Sequence, residues 1–172
     1  MQYLANFVLL ALIYFVFFYK KWYKKSRKVF VINTLMYIYI VMVLFVTLMP
    51  FPVPFINGTN NLFLETANLI PFRDLRMNYY GSARELILNV IMMMPFGFLY
   101  PVVRKAGIIK TVTMCFIFSL VIESAQLLSA FCGGLASRSF DVTDLITNTF
   151  GGLLGYLIFS TLKPLIFKIL KE

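Results

Sequence analysis

Apolar residues run through this chain in five long stretches, at residues 3–19, 29–49, 85–101, 108–130 and 144–162, and the polar residues gather between them. The stretches are unbroken and lack the alternation of a half-buried strand. A run of about 18 or more apolar residues crosses the hydrocarbon core of a bilayer as a helix. The pattern predicts an all-α integral membrane protein with about five transmembrane helices. The first stretch differs from a signal peptide, because it lacks a basic leading segment and Lys20, Lys21, Lys24, Lys25, Arg27 and Lys28 follow it directly.

The cations set an expected orientation. Basic loops stay in the cytoplasm, so the first basic cluster places the N-terminus outside and the C-terminus inside. Alternation then puts Arg104, Lys105 and Lys110, and the tail with Lys163, Lys168 and Lys171, on the cytoplasmic side as well. Arg73, Arg76, Arg84 and Arg138 remain outside. Three parts are expected: an accessory first helix with its basic loop (residues 1–28), a four-helix membrane domain (29–162) and a cytoplasmic basic tail (163–172).

Composition sharpens this picture. The chain has 172 residues, 60% of them hydrophobic and only 13% charged, where a soluble domain carries about 25% charged residues. The net charge of +9 does not point to nucleic acid, because the cations flank the apolar runs and no nucleic-acid-binding motif accompanies them. No histidine is present, which removes the commonest general base and metal ligand. No metal or cofactor is implied. Cys115 and Cys132 are 17 positions apart; on one helix that is about 25 Å, so they are expected as free thiols.

Two outer segments matter. Residues 50–84 open with Pro50-Phe51-Pro52-Val53-Pro54, which ends a helix. The rest of that segment is apolar enough to lie at the interface. Residues 131–143 include Cys132-Gly133-Gly134 and Ser137-Arg138-Ser139-Phe140-Asp141. All four cations expected outside are arginine, and six of the seven acids (Glu65, Asp74, Glu85, Glu123, Asp141, Asp144) fall at or near the same side. Arginine binds carboxylate or phosphate through a planar fork. This leaves two readings open: structural Arg–carboxylate pairing, or a site for an anionic group.

Polar groups from three helices reach one depth. Glu85 and Asn89 share a helix face, and Asp144 and Asn148 repeat the spacing in the similar strings Glu85-Leu86-Ile87-Leu88-Asn89 and Asp144-Leu145-Ile146-Thr147-Asn148. The fourth helix adds Glu123 and Gln126, with Glu123 about 10 Å below its outer end. A charge at depth costs about 2.5–3.5 kcal/mol or more and needs a partner or a task. Pairing with Arg138, a hydrogen bond to Asn89 or Asn148, proton handling and ligand binding are all open for Glu123. The expected site is therefore an outer polar cluster of Arg84, Glu85, Asn89, Glu123, Gln126, Arg138, Asp141, Asp144 and Asn148. Elsewhere, Gly151 and Gly155 suit close helix packing. Pro95-Phe96-Gly97 is expected to kink the third helix or free a carbonyl, and Met92, Met93 and Met94 read as packing residues.

Asn68-Leu69-Ile70-Pro71-Phe72, Asn89 with Pro95-Phe96-Gly97, Ile122-Glu123-Ser124-Ala125-Gln126, and Arg138-Ser139-Phe140-Asp141-Val142-Thr143-Asp144 leading to Asn148-Thr149-Phe150-Gly151-Gly152 resemble the VanZ-like family in order and spacing. The resemblance spans roughly residues 30–162 and leaves the first helix outside it. It implies a multi-pass protein of the bacterial cytoplasmic membrane. The family's named member is associated with low-level resistance to the lipoglycopeptide teicoplanin and has little effect on vancomycin.

Three functions fit these expectations. In the first, the cluster binds an anionic or lipid-linked envelope component without turnover, since no nucleophile–base pair is evident. In the second, a membrane enzyme modifies a lipid-linked substrate, with Glu85 and Asp144, or Glu123 and Asp141, as acid and base. The third is a small transporter or structural subunit. Membrane lipids are expected partners in each.

Overall fold

The computed structural model describes residues 2–51, 67–132 and 140–171, and these are helical apart from short connections and one isolated bridge. The first helix, α1 (Gln2–Tyr23), is continuous, with its middle Tyr14–Tyr19 wound as a π-helix. It is followed by α2 (Arg27–Thr47), a single turn α3 (Arg73–Arg76), α4 (Ser82–Arg104), α5 (Ile108–Phe131) and α6 (Val142–Lys171). Five of them, α1, α2, α4, α5 and α6, are long and apolar enough to cross a membrane. The protein is thus a multi-pass helical membrane protein.

Local chemistry sets the helix ends. Ser26 is extended and its Oγ accepts from the Val29 N–H at 3.2 Å, capping α2. Gly81 precedes α4 at φ +90°, a conformation that side chains resist. The last helix runs beyond the expected end at residue 162, through Lys163 and Pro164, to Lys171. Pro164 removes only the N–H that would reach the Ser160 carbonyl, which lies on an exposed turn. Pro95 and Pro101 likewise sit inside an unbroken α4. Beside the Ile91 carbonyl that Pro95 leaves without its helical donor, the Tyr39 hydroxyl donates to the Met92 carbonyl at 2.8 Å.

Helices α4 and α6 pack backbone against backbone. A Cβ on Gly151 would lie 2.9 Å from Val90 Cα, and one on Gly155 would lie 2.9 Å from the Met94 carbonyl carbon. One on Gly97 would lie 2.7 Å from the carbonyl carbon of Gly152. The contacts Val90–Gly151 and Met94–Gly155 rise together along both helices, so the two run parallel. Gly152 also meets α5, where a Cβ would stand 2.7 Å from Cys115 Cβ. The apolar core of the bundle lies below: Met93, Phe96, Tyr100 and Cys115 are buried together, with Met92 and Tyr39 against them. Phe96 stacks on Phe118 at 5.0 Å and on Tyr100 at 5.5 Å. Both cysteines are free thiols.

Overpacking a well-filled interface costs about 1–3 kcal/mol, and here the obstructing atoms are backbone. Gly155→Leu is expected to reach the upper end of that range, about 3 kcal/mol, in unfolding from detergent micelles. Gly107→Ala, whose Cβ meets nothing within 4 Å, is expected to cost only what alanine costs at the α5 N-cap, about 1 kcal/mol.

Candidate functional site

The parallel pair α4 and α6 begins at the same end of the bundle, and α5 ends there. At that end the chain around Asn68 is laid beside the entry to α6. The Asn68 N–H donates to the Phe140 carbonyl at 2.7 Å, and the Val142 N–H donates to the Asn68 carbonyl at 3.0 Å. Three more bonds hold the same strand of chain. Asn68 Nδ2 donates to Asp141 Oδ2 at 2.9 Å, the Ile70 N–H donates to Asn68 Oδ1 at 3.3 Å, and the Phe72 N–H donates to Thr143 Oγ1 at 3.0 Å. The Arg76 guanidinium folds back onto the Pro71 carbonyl.

Asp141 is the node of this arrangement. Its Oδ1 accepts from the Thr143 N–H at 2.6 Å, in the manner of an N-cap for α6. Its Oδ2 takes the Asn68 amide, and its own N–H donates to Glu123 Oε2 at 3.0 Å. Glu123 is 2% exposed, so its carboxyl lies beneath the loop and not in the open. Its described partner is a backbone amide; Asn89 and Asn148 are engaged elsewhere. Asn89 lies beside the Asp144 carboxyl. Asn148, 1% exposed, donates from Nδ2 to Ser119 Oγ at 2.9 Å. Among the described residues its Oδ1 has no partner.

Above Glu123 opens a small cleft of about 30 Å³, lined by Asp74, Ser82, Glu85, Asp141, Thr143 and Asp144 together with Phe72, Leu75 and Leu86. The carboxyls of Asp141, Glu85 and Asp74 are all within electrostatic reach of Asp144. The acids at this end therefore converge from α3, α4, α6 and the loop before α6. Among the described residues no three His, Cys, Asp or Glu side chains are placed to hold a metal ion.

Of the residues expected in the cluster, Glu85, Asn89, Glu123, Asp141, Asp144 and Asn148 are brought to this end of the bundle. Gln126 is turned away: its Nε2 donates to the Thr47 carbonyl at 3.1 Å and ties α5 to the end of α2. Arg84 is exposed at the rim. The one ion pair among the described residues joins the neighbours Arg73 and Asp74 at 3.3 Å, both well exposed. Such a pair contributes little. Arg138 and Glu65 lie outside the described residues. The sequence offered Asn68 and Thr143 only as members of motifs, with no place in the cluster, and did not single out Ser119. Ser119 had a visible signal: Thr111, Cys115, Ser119 and Glu123 recur every four residues on α5, and all four are buried.

Losing an N-cap costs about 0.5–2 kcal/mol, and Asp141 also holds the Asn68 strand. Asp141→Ala is expected to raise hydrogen exchange in the first turn of α6 and along 68–72 together. In a double-mutant cycle, Asn68→Ala and Asp141→Ala should couple by about 0.5–3 kcal/mol, and additive effects would contradict the contact. Glu123→Gln keeps an acceptor for the Asp141 N–H. Glu123→Leu orphans that N–H and is expected to cost about 1–3 kcal/mol more in the same unfolding measurement.

The family model described as VanZ/LLP1 matches residues 34–166. A relative named Protein VanZ from Enterococcus faecium is 35% identical over 96 residues, which is 55% of this chain and 53% of that protein. The chain thus spans about half the length of the curated relative it matches. No solved structure matches. The matched region begins within α2, runs through every residue of the polar end and closes within α6, and on that evidence the chain belongs to the VanZ/LLP1 family.

Proposed function

We propose that the protein acts at the bacterial cell envelope by binding, without turnover, an anionic or lipid-linked component at its polar end, and thereby lowers susceptibility to lipoglycopeptides such as teicoplanin. The cleft where Glu85, Asp141, Thr143 and Asp144 meet carries this reading. Its carboxylates accept hydrogen bonds and suit the amide, hydroxyl or ammonium donors of a ligand. An anionic group on the same ligand is taken by the arginines at the rim, Arg73, Arg76 and Arg84, with Arg138 as a further candidate. In this reading the polar end faces outward. The positive-inside rule supports that orientation, since the clusters at Lys20–Lys28, Arg104–Lys110 and Lys163–Lys171 then face the cytoplasm of a bacterial plasma membrane.

An enzyme acting on a lipid-linked substrate is the second reading, favoured by Glu85 and Asp144 lining one cleft. Glu123 and Asp141 fit the acid–base pair less well, because Glu123 is covered and its carboxylate is engaged by the Asp141 amide.

The experiment is susceptibility in a Gram-positive host expressing wild type, Glu85→Gln or Asp144→Asn at matched membrane levels. Wild type is expected to raise the inhibitory concentration of teicoplanin with little change for vancomycin, and both variants are expected to lose the shift. No shift in wild type removes the resistance assignment. A shift that survives both substitutions removes the cleft from it. Turnover of a labelled envelope lipid by purified protein, lost in Asp144→Asn, would favour the enzyme.

A further inference from the structure

Helices α1 and α2 form a hairpin, and none of its residues lines the cleft at the polar end. Between them runs a groove of about 450 Å³, lined by Phe7, Leu10, Ala11 and Phe15 from α1 and by Ile38 and Met42 among others from α2. That volume falls in the range of about 300–1,000 Å³ usual for ligand pockets. Bulky rings hold the helices apart: Tyr3 and Phe7 both meet Phe45, at 5.9 and 5.4 Å, and Tyr14 meets Tyr37 at 5.2 Å. The polar atoms of the lining are already used. The hydroxyls of Tyr14 and Thr34 bond each other at 2.8 Å, and the Tyr37 hydroxyl donates to the Leu10 carbonyl at 2.7 Å. What the groove presents is therefore carbon.

One end of the groove leads to the basic turn. Trp22 carries the aromatic wall toward it, stacking on Phe18 at 4.9 Å and meeting Tyr14 at 6.1 Å and Tyr37 at 6.5 Å. Lys21 and Lys25 flank that Trp, and Arg27 lies seven residues, two turns, before the groove residue Thr34 and so on its face of α2. Lys20, Lys21, Lys24, Lys25 and Arg27 are all exposed. No acidic residue precedes Glu65 in the chain, so nothing in the hairpin neutralises them. A second copy of this chain, at +9, would bring another basic turn to the same place.

An apolar slot beside cations that no acid of the hairpin compensates, with aromatic rings at the junction, suits an anionic amphiphile. We propose that the α1–α2 hairpin binds one anionic phospholipid, with an acyl chain in the groove and the phosphate at the Lys20–Arg27 turn. From Tyr14 to Lys21 is about 10 Å along the helix, which separates chain from headgroup. Each cation near an anionic headgroup strengthens the contact, and Trp22, beside Lys21, is the ring nearest the headgroup level.

The test is lipid retention by the full chain. The protein is reconstituted in bilayers of phosphatidylcholine with a minor fraction of dioleoylphosphatidylglycerol, extracted in mild detergent and weighed by native mass spectrometry. Wild type is expected to keep one phosphatidylglycerol per chain in preference to phosphatidylcholine. The triple variant Lys21→Gln, Lys25→Gln, Arg27→Gln is expected to weaken that retention by about a hundredfold. Ala11→Trp fills the groove without touching a charge and is expected to weaken it at least about tenfold, which is the scale of 1.4 kcal/mol. If Ala11→Trp does not fold, the triple variant, which changes only exposed side chains, decides. Equal retention of both lipids by wild type, unchanged retention in the triple variant, or a dimer whose cross-links occupy the groove would each overturn the proposal.

Discussion

In hydrocarbon, helices gain nothing by hiding apolar surface from a solvent that is itself apolar, so association rests on close contact and on hydrogen bonds. In this protein that contact is made by glycine. Gly97 on α4 and Gly151, Gly152 and Gly155 on α6 let two backbones meet where any side chain would collide. Because the pair is parallel, the same contact brings Glu85 and Asn89 to the level of Asp144. Gly152 draws α5 in as well, through Cys115, and with it the polar stripe that ends in Glu123. The polar end is a consequence of how tightly the helices beneath it touch.

What closes that end is a set of short bonds centred on Asp141. One residue caps α6, holds the Asn68 strand and covers Glu123 with its own amide. The Glu123 carboxyl is buried with its Oε2 engaged by that amide, whereas the carboxyls of Glu85 and Asp144 line the cleft. The carboxyls therefore lie in two layers: a covered one, Glu123, and the cleft-lining Glu85 and Asp144.

Much of this was legible in the sequence, and the reasons are physical. Bilayer thickness fixes the length of a span, so the five helices stood out as runs of apolar residues. Four-residue spacing placed Glu85 with Asn89 and Asp144 with Asn148, and small residues marked the α4–α6 contact. The sequence grouped Gln126 with Glu123; in the structure its amide donates to the Thr47 carbonyl on α2, 79 residues away, a partner that local spacing does not encode. The role of Asn68 was hidden because its partner Asp141 is 73 residues away, and no local pattern encodes a pairing at that distance. The apolar run ends at residue 162, where the lysines of the tail begin, while the helix itself continues to Lys171.

The glycine notches also limit how the polar end can move. Interlocked backbones do not slide by small steps; a shifted register is a whole helical turn, about 5.4 Å. A slip of that size would part Asn89 from Asp144 and bring Thr147 or Phe159 to a position that a glycine now holds. The floor of the cleft thus behaves as a rigid anvil. Widening or narrowing it to admit a guest falls to the parts that rest on top: the single turn of α3 and the strand at Asn68, which are fastened by a few hydrogen bonds and can be lifted one at a time.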